Sequence, residues 1–302
     1  MLELRHLRYF LAVAEERSIS RAAQRLHMAQ SPLSAAIRRL ETDIGAELLS
    51  RGSRGVTLTP AGDALLERAR RILESVDGAV AAARRAAAGE LGTLRVGFSW
   101  SARFATLPAL GQQFAERFPE VTMITQEMWN ADMPTALRSG TIDLAVSLCA
   151  ERETELEAEV ILCEPVVVLL PARHRLAERA RIDLADLSQE SFSVFPRELA
   201  PRLHDALLAI CRRAGFEPKV SRIPFHSAGD IGTFADSGAV ALVPDSVRGG
   251  VPGTAAVSLG RPQAILETAL VWHSPSLSPA ASRFRELARS AFTARSESPA
   301  VR

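Results

Sequence analysis

Ser31, Ala35, Arg38, Arg39 and Thr42 lie along one side of a segment whose other side carries Leu33, Ile37, Leu40 and Ile44 at helical spacing. A helix with small, polar and basic residues facing outward suits the DNA major groove. Small side chains permit close approach there, and arginine meets phosphates or guanine edges. The neighbourhood is basic as well, since Arg17 to Arg54 hold 7 Arg against 3 Asp or Glu. The overall charge of +1 conceals this: residues 1–90 carry 14 basic against 11 acidic residues, and the remainder 22 against 24. A solvated surface can carry the same local excess, so charge supports nucleic-acid binding without establishing it.

A second group of chemically capable residues falls in five loops, each expected after a strand: Ser99-Trp100-Ser101, Met128-Trp129, Ser147 to Cys149, Phe195-Pro196-Arg197 and Phe225-His226-Ser227. Hydroxyls and aromatics at the carboxyl ends of strands suit a small organic ligand in a cleft. Catalysis finds less support. The stretch Gly97-Phe98-Ser99-Trp100-Ser101 comes nearest to a nucleophile elbow but lacks the second glycine that its strained turn requires. The six His are scattered without metal-ligand spacing, and Cys149, Cys163 and Cys211 fit neither a disulfide framework nor a Cys-x-x-Cys site. No cofactor, metal or enzymatic activity is therefore expected; an α/β hydrolase-like enzyme is the alternative from another class.

The elements that must position these residues can be read in order. Leu4 to Ala14 predicts a first helix, Ser20 an N-cap for the second, and Ser31 an N-cap for the third with Pro32 at its first position. Gly45 stops that helix. Leu48-Leu49, a turn over Arg51-Gly52-Ser53-Arg54-Gly55, and Val56-Thr57-Leu58 predict a hairpin with two Arg at its tip, the wing of a winged helix-turn-helix. Thr59-Pro60 opens a long helix to about Ala88, with Leu66, Ala69, Leu73, Val76, Val80 and Ala83 on one seam. Such a seam can be used within the chain, but pairing with a second copy would also set two recognition helices on successive major grooves.

From Gly89 onward the pattern changes to α/β. Strands over Thr93 to Phe98, Val121 to Met128 and Ile142 to Leu148 alternate with helices, which argues for a parallel sheet. A second set begins at Val166 to Leu170, and Ala269 to Trp272 with the helix Ala280 to Phe292 returns to the first set. The expected organisation is a DNA-binding domain at 1–58, a linker and dimerisation helix at 59–88, and an effector-binding domain at 91–292. That domain comprises one lobe at about 91–161 with 266–292 and another at about 162–265, and a disordered tail follows at 293–302. No run approaches 18 uncharged apolar residues, and the charged amino terminus is no signal peptide, so a cytoplasmic protein without a membrane segment is expected.

Over essentially its whole length the chain resembles the LysR-type transcriptional regulators. The resemblance is carried by Ser18 to Arg51, by Val56-Thr57-Leu58-Thr59-Pro60-Ala61-Gly62, by Pro165 to Pro171 and by Ala239 to Pro244. Val194 to Asp205 and Cys211 to Pro218 are similar, more weakly, to the branch that answers aromatic-degradation intermediates. The resemblance implies a winged helix-turn-helix, a dimerising linker helix and a periplasmic-binding-protein-like effector domain of two Rossmann-like α/β lobes. It also implies a homotetramer acting on a dyad site in double-stranded promoter DNA, with RNA polymerase a further partner. Gln30, Ser31, Pro32 and Ser34 then fall at the family's base- and phosphate-contacting positions and Arg51 and Arg54 on the wing, while Ala35 and Arg38 join the DNA-binding candidates from the outward side of the same helix. Ser99 and Ser101 fall at hydroxyl positions that the family uses for ligand carboxylates, and Trp100, Met128, Trp129, Ser147, Phe195, Pro196, Phe225 and Ser227, from the loops expected at the cleft, join them as effector-binding candidates. Two departures stand out. Ala35 and Ala36 replace the Arg-Gln common in the family, leaving base readout to Gln30, Ser34 and Arg38 with a larger share for DNA shape. Leu148 and Cys149 stand where the muconate-type branch places an Arg, which speaks against a dicarboxylate, and Trp100 and Trp129 point to a larger or more aromatic ligand; a small aromatic or carboxylate effector is expected. A constitutive DNA binder with a vestigial pocket is the remaining alternative.

Overall fold

The structure is a computed structural model and describes residues 2–52, 55–221, 234 and 237–296. It divides into two compact units, Met1–Arg84 and Arg85–Arg302. In the first unit, α1 (Leu4–Glu16), α2 (Ile19–Arg25) and α3 (Gln30–Ile44) are followed by the antiparallel strands β1 (Leu49–Gly52) and β2 (Gly55–Leu58) and by the start of α4 (Pro60–Ala87). Phe10, Val13, Ala22, Leu33, Ile37, Leu40 and Leu48 form one core, each at most 1% exposed. At about 1.5–3 kcal/mol for each fully buried large side chain, these residues dominate the stability of so small a unit. Two devices then fix the loops. Gly45 ends α3 at φ +78, the left-handed region that glycine enters without penalty. The Glu41 carboxylate accepts from the backbone N–H groups of Leu48 (2.9 Å) and Leu49 (3.2 Å), holding the wing against α3.

Three local expectations are corrected. The second helix is capped by Ser18, whose Oγ accepts from the Arg21 N–H, while Ser20 sits inside the helix and donates to Gln30 Oε1 at 3.0 Å. The third helix starts at Gln30 with Ala29 at its cap, so Ser31 caps nothing; Pro32, third in the helix, still lacks only an N–H that has no partner in a first turn. Ile44 belongs to the apolar spacing but is 40% exposed, because the chain turns away at Gly45.

In the second unit, β3 (Gly92–Phe98), α5 (Thr106–Arg117), β4 (Val121–Glu127), α6 (Met133–Arg138) and β5 (Leu144–Leu148) build a parallel βα layer. The 16-residue strand β6 (Leu156–Pro171) leads away from it through β7 (Arg181–Ile182), β8 (Ser191–Ser193), α7 (Pro201–Arg213), β9 (Lys219–Ser221), β10 (Ala241–Pro244) and β11 (Thr254–Leu259). The chain returns along β12 (Ile265–His273) to α8 (Pro279–Ser296). The sheet order is β4-β3-β5-β12-β6-β11-β7, with β10 also paired to β6. The parallel pairing expected of β3, β4 and β5 is found, and the returning strand departs from it. β12 runs antiparallel to both β5 and β6, because a chain that leaves one lobe and comes back must cross in opposite directions. Val166 to Leu170 of β6 are all buried, as expected of a strand covered on both faces. The two largest cores lie around Leu94, Leu110, Phe114, Leu270 and Phe284 and around Val168, Leu170, Leu184, Leu207 and Val240, and smaller ones around Leu137 and Ala145 and around Val167 and Val243. The expected disordered tail is also corrected over 293–296, which continue α8; residues 297–302 lie outside the described residues.

Candidate nucleic-acid interface and ligand cleft

Helix α3 separates its residues cleanly. Leu33, Ile37 and Leu40 are 0% exposed, while Gln30, Ser31, Pro32, Ala35 and Arg38 face solvent and Ser34 is half-buried. The 3.6-residue repeat produces this division once one side finds a core. Two of the polar residues are held by neighbours: Gln30 by the Ser20 hydroxyl, and Ser34 by Arg51 of β1, whose Nη1 donates to its Oγ at 3.3 Å. Wing and helix therefore present their polar groups as one surface. Arg54 lies outside the described residues.

The seam of α4 is divided. Leu66, Ala69 and Leu73 pack with Leu7 and Leu11 of α1, Ala69 being fully buried. Farther along, Val76 is half-buried, while Val80 and Ala83 are exposed.

In the second unit, the loops after β3, β4 and β5 meet the segments beside α7 and β10. A cavity of ≈ 30 Å³ opens there, room for about two waters at roughly 10–15 Å³ each. Of the expected ligand residues, Ser99, Trp100, Ser101, Met128, Trp129 and Phe195 line it. Ser147 does not: strand alternation turns it to the face opposite Leu148, where its Oγ is buried without a hydrogen-bond partner. Pro196 stays off the wall too, its carbonyl accepting from the N–H groups of Leu199 (3.0 Å) and Ala200 (3.2 Å) in the turn that starts α7. Phe225 and Ser227 lie outside the described residues. Leu148, from the expected loop Ser147 to Cys149, is on the wall as well, and Asn130, Ala200, Leu203, Leu207, Leu242, Val243 and Pro244 complete it without having been expected. Asn130, next to Trp129, carried the one usable signal, an amide in a loop already singled out; its Nδ2 donates to the Leu148 carbonyl at 2.7 Å.

The chemistry of this wall is mainly aromatic. Trp100 meets Phe104 at 4.8 Å and Phe195 at 6.2 Å, and Trp129 meets Phe195 edge-on at 5.8 Å. Ser99 is already engaged, since its Oγ accepts from the Leu148 N–H at 3.0 Å and donates to the Val146 carbonyl at 3.4 Å. That hydroxyl ties β3 to β5. Beside the cleft, burial pushes the Glu127 carboxyl up, with Arg103 opposing the shift. Among the described residues no cluster of His, Cys, Asp and Glu is arranged to hold a metal ion.

The cysteines are dispersed. Cys163 is exposed, Cys149 is half-buried, and Cys211 is 2% exposed with its thiol pushed up to about 11 by burial. Such a thiol is ionised in roughly one molecule in a thousand at pH 8, so it lacks both access and nucleophile. Native protein treated briefly with iodoacetamide at pH 8 is expected to be modified first at Cys163, and at all three positions once unfolded in guanidinium. Peptide mass mapping reads the order, and early labelling of Cys211 in the native protein would contradict the packing.

Comparison with known proteins gives a consistent result. Residues 4–63 match the model for the "Bacterial regulatory helix-turn-helix protein, lysR family", and residues 87–293 match the "LysR substrate binding domain". The HTH-type transcriptional regulator YnfL of Escherichia coli is 38% identical over 288 residues, covering 94% of this chain and 97% of that protein. The HTH-type transcriptional regulator TfdS of Cupriavidus pinatubonensis is 39% identical over 248 residues, covering 82% and 83%. Among solved structures, the LysR family regulator CbnR aligns with a TM-score of 0.83 at 30% identity, covering 95% of this chain and all of that one. CbnR bound to its target DNA aligns at 0.80 and 29%, covering 96% and 99%.

Proposed function

The chain belongs to the LysR-type family of DNA-binding transcriptional regulators, and from that premise we propose that it binds a dyad promoter site as a homo-oligomer and answers a small aromatic effector held in the cleft beside Trp100. The division of labour proposed is DNA binding by residues 1–58, dimerisation by 59–88 and effector binding by 91–292. The observation that carries the DNA side is α3, with its apolar residues buried and Gln30, Ser34, Ala35 and Arg38 presented beside Arg51 of the wing. On the effector side, the aromatic wall of the cleft supports the reading.

Mechanistically, an effector larger than the ≈ 30 Å³ cavity must part the two sides of the cleft. A ligand that binds the parted form better shifts the population toward it. In the reading favoured here, that shift alters a tetramer, the spacing of its DNA-binding pairs and the DNA bend, and so what RNA polymerase meets. No helix among the described residues is long and apolar enough to cross a membrane; together with DNA as partner this supports action in the cytoplasm, and a role without enzymatic turnover fits the family's character as regulators.

Fluorescence anisotropy with a labelled dyad fragment from the protein's own promoter region tests the proposal. Each neutralised phosphate contributes about 0.9 to the slope of log K against log salt. Arg38→Ala and Arg51→Ala are each expected to weaken binding about tenfold and to reduce that slope by about one. Equal affinity for the promoter fragment and random DNA would overturn the proposal.

A further inference from the structure

As far as the described residues form it, the cleft is lined by aromatic surface and by no charged side chain. Among the described residues no Arg, Lys or His lines the cavity. The three arginines on its bordering segments are turned to internal partners: Arg103 to Glu127 at 3.4 Å, Arg197 to Asp205 at 2.9 Å through both Nε and Nη2, and Arg202 to the Ala150 carbonyl. Even the amino terminus of α7, where backbone N–H groups could hold an anion, is taken, because Glu151 Oε1 accepts from the Arg202 N–H at 3.0 Å. A carboxylate entering the cleft would shed its hydration and meet no described cation in return.

On this wall one side-chain polar atom is fully buried without a partner. The indole N–H of Trp100 is buried without a hydrogen-bond partner. A buried donor in that condition is costly, and any acceptor that reaches it when the aromatic rings part relieves the cost. The remaining wall, Met128, Leu203, Leu207, Leu242 and Val243, offers apolar contact. We infer that the cleft selects an uncharged, planar aromatic molecule bearing a hydrogen-bond acceptor for the Trp100 indole N–H. The inference rests on reading the cleft as the effector site.

Four probes of nearly one shape separate the possibilities with the full-length protein at pH 7.5: benzamide (neutral, with an acceptor), benzoate (anionic), benzamidinium (cationic) and α-methylstyrene (neutral, without an acceptor). Tryptophan fluorescence and thermal shift read binding, which must raise the melting temperature if only the native state binds. Benzamide is expected to bind about tenfold more tightly than each of the others, the difference that one hydrogen bond to a buried donor typically makes. In Trp100→Phe the preference of benzamide over α-methylstyrene should fall to about one, while in Phe195→Leu both weaken and the preference remains. Benzoate or benzamidinium matching benzamide would overturn the charge selection. A preference retained in Trp100→Phe, or lost equally in Phe195→Leu, would overturn the role of the indole N–H. Binding of none of the four to the wild type would instead remove the effector-site reading itself.

Discussion

Gly62→Ala is expected to unfold the amino-terminal unit and abolish DNA binding while residues 85–302 keep their own thermal transition. Gly62 lies in the first turn of α4, where a Cβ would stand 2.1 Å from the Leu48 carbonyl oxygen and 2.9 Å from Leu58 Cδ2. The first obstacle is backbone, so no side-chain rotation relieves it. The position is also tied down: Thr59 Oγ1 accepts from the Gly62 N–H at 3.0 Å and donates to the Glu47 carbonyl at 2.6 Å. Overpacking in well-filled interiors typically costs about 1–3 kcal/mol, and a clash with fixed backbone belongs at or above the upper end. Against domain stabilities of about 5–15 kcal/mol, with small units at the low end, that removes much of the margin. Gly78→Ala in the same helix is the control, since nothing stands within 4 Å of its Cβ; there alanine should stabilise by up to about 1 kcal/mol. Calorimetry and anisotropy on both variants check the pair, and wild-type DNA affinity in Gly62→Ala would show that α4 and the wing are not packed as described.

The second large effect is expected from Val76→Asp combined with Val80→Asp. The apolar seam of α4 is only partly used within the chain: Leu66, Ala69 and Leu73 meet α1, whereas Ile72 and Val80 remain 43% and 45% exposed. In a two-fold interface each substitution enters twice, placing four carboxylates in one apolar contact. Dissociation to monomers should follow, seen by analytical ultracentrifugation. Affinity for the full dyad should then fall by about a hundredfold or more, because the second half-site loses its high effective concentration. Affinity for an isolated half-site should change little. A double variant that remains dimeric would refute dimerisation through this part of α4.

The structure also redistributes roles among residues that looked alike in sequence. Ser99, Ser101 and Ser147 are three hydroxyls after or near strand ends, yet Ser99 joins two strands and Ser147 is turned away from the cavity, which leaves Ser101 as the one of the three on the wall without a strand-joining hydrogen bond shown. Likewise Ser20, expected as a cap, holds Gln30 at the start of α3.

What the amino-acid sequence determined by itself is local. The repeat of Leu33, Ile37 and Leu40, the Thr59-Pro60 helix start, the Gly45 stop and the alternation of strands and helices after Gly89 each follow from the spacing and backbone preferences of neighbouring residues. They were legible for that reason, and with them the two-sided helix α3, the β1–β2 hairpin and the α/β character of the second unit. What only the tertiary structure decided is which distant groups meet. The cleft wall draws Ser99, Asn130, Leu148, Phe195, Leu203 and Pro244 from stretches more than a hundred residues apart at the extremes, and the antiparallel return of β12 sets that meeting. The side of a strand on which Ser147 falls, the satisfaction of the Ser99 hydroxyl and the solitude of the Trp100 N–H depend on the partner opposite. Periodicity repeats every two or 3.6 residues and carries no record of that partner, because hydrogen-bond and packing choices are made across space once the chain has closed.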